Sequence, residues 1–250
     1  MTDDFDSLVR WPLRTDEWPR TVLVGALLVA TAPLVLPSVL LAGYAVRLLR
    51  TDFDDGSLPA FDDPRSLVGT GTRAAGVVVA YHLPAAVLLT AGVGAASASL
   101  RWRAPATLRP AAVVASLTSG PLSGALALAG AVVLPVCGYL ATVGLTAYAT
   151  TDDVAEAFAV GRIRRRALSI ATLRAWLLGS LVTVVTGVCA IVLAAATTAI
   201  PGVGHLLAGA VRFYGGVVAL VVWSETLPVE GTENRNESGM QTTEPGAEPT

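Results

Sequence analysis

Arg212 is the residue of this chain whose type and position most invite chemistry. It lies inside the apolar run His205–Trp223, which holds no other Arg, Asp or Glu. Its neighbours three and four positions away, Ala208, Gly209, Gly215 and Gly216, are all small. On a helix they would leave a notch on the face that also carries His205. A guanidinium brings five hydrogen-bond donors and a permanent charge. Facing lipid it would be costly, so this face is expected to point into a bundle or a wet cavity. The usual partner is missing, because no Asp or Glu occurs from Ala74 to Thr151 or from Ala157 to Ser224. The donors must then meet backbone carbonyls and hydroxyls, which is helix packing, or an anion. Arg212 is therefore a candidate anion or lipid-phosphate site, with His205 or His82 as helpers. His82, in Tyr81-His82-Leu83-Pro84, reads on its own as a hydrogen-bonded packing histidine.

Other reactive side chains form no recognisable constellation. Asp52, Asp54, Asp55, Asp62 and Asp63 crowd one loop without the spacing of a calcium loop, so capping and solvation suit them better. Cys137 and Cys189 are isolated in apolar runs, where packing is their default role. Ser123 and His205 could be imagined as an intramembrane pair, but no nucleophile motif supports the serine. The expectation is a protein that is not an enzyme and holds no cofactor and no metal. Proton- or cation-coupled transport places acids within the spans, and this chain has none there. Two readings remain: a non-catalytic envelope or scaffold component, or a transporter or binder of an anionic solute or lipid through Arg212. The expected partners are the bilayer and a second copy or another membrane protein, not nucleic acid.

The elements that must position these residues are membrane helices. Hydrophobic residues make up 53% of the 250 and charged ones 14%, with a mean hydropathy of +0.63. Soluble domains carry about 25% charge. Long acid-free apolar runs are membrane spans, because only a helix satisfies its own backbone in hydrocarbon. The fold class is an all-α, polytopic integral membrane bundle of five to six membrane segments. Residues 1–20, with Trp11 and Trp18, read as an interfacial lead-in, residues 21–226 as the membrane domain, and residues 227–250 as a disordered acidic tail. The amino terminus is acidic where a cleaved signal is basic. The membrane segments are 21–46, 74–98, 111–150, 175–200 and 203–223.

Two segments are ambiguous. Pro33 and Pro37 make 21–46 either one kinked span or a re-entrant hairpin of two half-helices. Ser119-Gly120-Pro121 makes 111–150 either two spans or an outer half-helix and one long span. With a single first span and a split third run, arginines divide 12 against four across the membrane. With the hairpin and one long span they divide 13 against three. Either way both termini and the cluster Arg162, Arg164, Arg165, Arg166 fall on the cytoplasmic side.

Asp63-Pro64 predicts a helix start, with Asp at the N-cap and Pro at the first turn. The helix beginning there is expected to lie at the interface and lead into the second segment, with Leu58, Phe61, Leu67 and Val68 facing lipid. Gly179, Thr183 and Gly187 recur every four residues and predict a small packing face. Asp153 and Glu156 have capping-box spacing. Leu134-Pro135, Tyr148 and Ala157-Phe158 echo Leu36-Pro37, Tyr44 and Ala60-Phe61, with Pro-to-Phe spacings of 23 and 24, so an internal duplication is a second expectation. All 17 basic residues are Arg. With a pI of about 5.7 this suits a salt-adapted archaeal, haloarchaeal proteome, and equally a codon bias.

Tyr44-Ala45-Val46-Arg47-Leu48-Leu49-Arg50 followed by Leu58-Pro59-Ala60-Phe61-Asp62-Asp63 resembles the signature of the DUF4013 family of archaeal and bacterial membrane proteins. Tyr81 with Pro84, Ala157 to Arg162, Pro201 to Gly204 and Phe213-Tyr214 are similar to its later blocks. The likeness covers residues 7–226 and departs at Pro64, where members carry an aromatic. It implies a helical membrane bundle and brings no activity and no catalytic residue.

Overall fold

The computed structural model describes residues 18–51, 58–96, 120–197, 200 and 202–225. They form α1 (Trp18–Ala30), α2 (Val35–Leu49), α3 (Pro64–Ala96), α4 (Pro121–Thr151), a 3-10 turn (Val154–Phe158), α5 (Val160–Ala167), α6 (Ile170–Ala196) and α7 (Val203–Glu225). Four of these, α3, α4, α6 and α7, are long and apolar enough to cross a membrane, and α1 and α2 are apolar but shorter. The chain is thus the all-helical membrane bundle its composition requires. Residues 1–17 and the whole of the acidic tail, 227–250, lie outside the described residues, as do the arginine-bearing loop 99–110 and residues 111–119.

The first apolar segment is a hairpin. α1 stops at Ala30 and α2 begins at Val35, and both prolines sit where a missing N–H costs least, in the turn and in the first turn of α2. In lipid every freed carbonyl needs a donor. Thr31 Oγ1 donates to Leu27 O at 2.7 Å and Ser38 Oγ donates to Ala32 O at 2.5 Å. The two ends return to one place: Arg47, near the end of α2, donates to Ala60 O at 2.9 Å, and Arg20 and Thr21 of α1 share a cavity with Ala60, Phe61 and Asp62. A segment crossing once would hold Arg20 and Arg47 at opposite ends, roughly 40 Å apart.

That folding back overturns one expectation. Phe61 and Leu67 do not face lipid. The ring of Phe61 stacks on Tyr44 at 4.2 Å and tilts against Phe213 at 6.0 Å, while Leu67 is buried in the same cluster with Leu48, Val217 and Val221. Arg47 pulls the loop onto the bundle by its carbonyl and by Asp62, which carries Phe61 in between α2 and α7. The helix start at Asp63-Pro64 is as expected: Asp63 Oδ1 accepts from Ser66 N at 3.3 Å, and the helix leads without a break into the second membrane segment, to Ala96.

Close backbone contact joins the helices. A β-carbon on Gly43 would strike Leu67 O, and one on Gly71 would strike Val39 O, so α2 and α3 touch main chain to main chain. α3 and α4 run antiparallel, Gly92 lying against Ala127 and Gly130 against Leu89. Tyr81 Oη donates to Ala157 O at 2.6 Å and its ring stacks on Phe158 at 5.4 Å. Both Ala-Phe steps therefore offer a carbonyl to a helix donor and a ring to a tyrosine. On α6 the small face is used only in part: Gly179 takes Trp223, whereas Thr186, not Gly187, meets Gly215 of α7, and Gly187 is open. Asp153 caps the 3-10 turn by accepting from Ala155 N at 2.9 Å, and Glu156 pairs with Arg162 instead of closing a capping box.

Candidate anion-binding groove

α7 carries both candidate residues on one face, His205 in its first turn and Arg212 two turns on. The small residues between and beyond them let neighbours in on two flanks. A β-carbon on Gly209 would lie 2.5 Å from Ala26 O of α1, and one on Gly215 would strike Thr186 of α6. Where the hairpin turns at Ala32 and Pro33, α1 and α6 part and leave a groove of about 410 Å³. Val29, Ala32 and Pro33 form one wall, Ala190, Ile191 and Ala194 the other, and Ala208 and Gly209 the floor, with His205 and Arg212 along it.

Among the described residues the walls are apolar and hold no carboxylate. Arg212 is exposed into the groove, and no described residue accepts a hydrogen bond from it or pairs with it. The carbonyl-satisfied packing role is therefore not what the described residues provide. Arg212 lies roughly 14 Å along α7 from Val203. An arginine at mid-span costs about 2.5–3.5 kcal/mol on insertion scales, a cost that a wet or anion-filled groove lowers.

The other candidate stands apart. His82 is on α3, half-buried, with Nδ1 2.8 Å from Val78 O of its own helix and Nε2 facing Gly138 of α4. It does not line the groove. The imagined Ser/His pair is not assembled either: Ser123 packs beside Gly92 of α3, while His205 lines the groove.

Sequence reasoning missed the hairpin turn as a wall of this site, since Val29 and Pro33 carry no chemical signal. It also missed the clamp at the opposite end of the hairpin, where Arg47 holds the 58–63 loop and Arg50 holds the end of α4. Two arginines three apart followed by a loop rich in Asp was the available signal.

No curated protein and no solved structure matches the chain. Residues 26–195, well over half of it, match the family model described as "Protein of unknown function (DUF4013)". That stretch contains the hairpin turn, the two Ala-Phe steps and the antiparallel α3–α4 pair, so the chain belongs to the DUF4013 family.

Proposed function

We propose that this protein is a non-catalytic, multi-pass membrane protein that binds an anionic group, a lipid headgroup or a small anion, in the groove of Arg212 and His205. The observation that carries this reading is the guanidinium of Arg212, unpaired among the described residues and open to an apolar-walled groove within a spanning helix. A purely scaffolding role does not call for that charge.

In this reading residues 1–20 lie at the interface, 21–226 form the membrane domain with α1–α2 as a re-entrant hairpin, and 227–250 are a solvated tail. Of the 17 arginines, Arg212 is within a span and Arg101, Arg103 and Arg109 sit on one side, leaving 13 on the other. The positive-inside tendency makes that richer side cytoplasmic, with both termini, in the plasma membrane. A second copy or another membrane protein would use the lipid-facing side of α6.

Purified protein reconstituted in liposomes tests the groove through anion flux and retention of anionic lipid. Arg212→Gln keeps donors but removes charge and should abolish the flux and lower, without abolishing, the lipid retention, while Arg212→Lys should retain part of the flux. If Arg212→Gln leaves flux and lipid retention unchanged while Arg212→Leu unfolds the protein, the arginine is structural and this reading is wrong.

A further inference from the structure

The basic cluster of α5 is not used by the groove, and its arginines are not equivalent. Arg162 is paired with Glu156, and Arg166 is half-buried and engaged. Arg164 and Arg165 are exposed, as is Arg174 in the first turn and a half of α6, and no described residue pairs with any of the three. The helix that presents them is held firmly. Ile163, on its inner face, is buried against Val143 and Ala147 of α4. Tyr139 Oη donates to Ala167 O at 2.8 Å, and the Tyr139 ring stands edge-on to Trp176 at 5.4 Å.

Large apolar side chains flank these charges, and they are open. Val160 is 79% exposed, Leu168 76% and Ile170 83%. Ile170 opens a candidate span, and Leu173, Leu177 and Leu181 continue the exposed apolar surface along α6. Three unpaired arginines beside an uncovered apolar strip suit neither bulk water nor hydrocarbon. They suit the boundary between them, where aliphatic groups dip into the acyl region and guanidinium groups meet phosphates. Bidentate geometry matches a phosphodiester.

The geometry points to a second ligand site: α5 and the start of α6 bind the phosphate of anionic lipid headgroups through Arg164, Arg165 and Arg174, with Leu168 and Ile170 inserted beneath. This does not depend on the groove of Arg212. A soluble polyanion is the competing occupant, and the continuous apolar strip from Leu168 into α6 argues for lipid.

The test uses the full chain in nanodiscs with an environment-sensitive fluorophore on Ala171→Cys, in a background lacking Cys137 and Cys189. Spin-labelled phosphatidylglycerol should quench it well beyond its mole fraction, and spin-labelled phosphatidylcholine only in proportion. The double variant Arg164→Gln/Arg165→Gln should lower the apparent preference about 20- to 30-fold, since each basic residue near an anionic surface contributes about a factor of five. Arg164→Lys/Arg165→Lys should retain most of it, and 1 M salt should weaken it, about 3 Å being the screening length there. Equal quenching by the two lipids, or no change in the glutamine variant, overturns the proposal. So does full displacement of the anionic lipid by soluble polyphosphate. If the glutamine variant fails to fold, the wild-type comparison of the two lipids and its salt dependence still decide.

Discussion

Arg50 and Asp152, 102 positions apart, meet with Nη2 2.7 Å from Oδ1. The same arginine donates through Nε to Ala149 O at 3.0 Å and lies over the Tyr148 ring, 5.6 Å from its centre. One side chain at the end of α2 thus fastens the hairpin to the end of α4. Its neighbour Arg47 fastens the following loop through Ala60 and Asp62.

The two halves of the Arg50 contact should be unequal. Asp152 is well exposed, and pairs of that kind contribute at most about 1 kcal/mol, so Asp152→Asn should cost little. Arg50→Ala also removes the donor to Ala149 O and the contact with Tyr148, and should cost about 1–3 kcal/mol. Thermal unfolding in detergent reads both. Equal losses would show that the ion pair, not the carbonyl bond, is what matters.

The hairpin predicts which residues share a side. In a background lacking Cys137 and Cys189, Ser66→Cys at the start of α3 and Ala155→Cys in the 3-10 turn should resist an impermeant thiol reagent in intact cells. Ile200→Cys, between α6 and α7, should react. Labelling of Ser66→Cys together with Ile200→Cys, and not Ala155→Cys, would refute the hairpin. The full reverse pattern would keep the hairpin and refute the cytoplasmic assignment.

The α2–α3 contact predicts a sharp contrast between glycines. Gly43→Ala places a methyl against Leu67 O and should destabilise by about 1–3 kcal/mol, as overpacking does. Gly76→Ala, at an exposed position of α3 away from α2, meets nothing within 4 Å and should be neutral or stabilising by up to about 1 kcal/mol, because alanine favours the helix. Matching melting temperatures for the two variants would mean that α2 and α3 are not in backbone contact.

What the sequence by itself determined was the class of the protein and the oddity of Arg212. Both are local properties: uninterrupted apolar length decides what a bilayer accepts, and one charge in an acid-free run stands out without knowledge of neighbours. Its small flanking residues were also legible as a notch, and Gly209 and Gly215 do admit α1 and α6. Which way the first segment ran was not, because Pro33 and Pro37 break a helix without saying where the chain goes next. That was decided by Arg47 reaching Ala60 and by Phe61 filling the gap between Tyr44 and Phe213, contacts between residues far apart in the chain. The same holds for the groove. Arg212 and His205 share a face by helical period alone, but only packing set the hairpin turn and α6 on either side of them and left His82 on another helix. An apolar side chain carries no mark of whether it will meet lipid, a partner helix or the side of a groove, since lipid tails are as apolar as the side chains of a neighbouring helix.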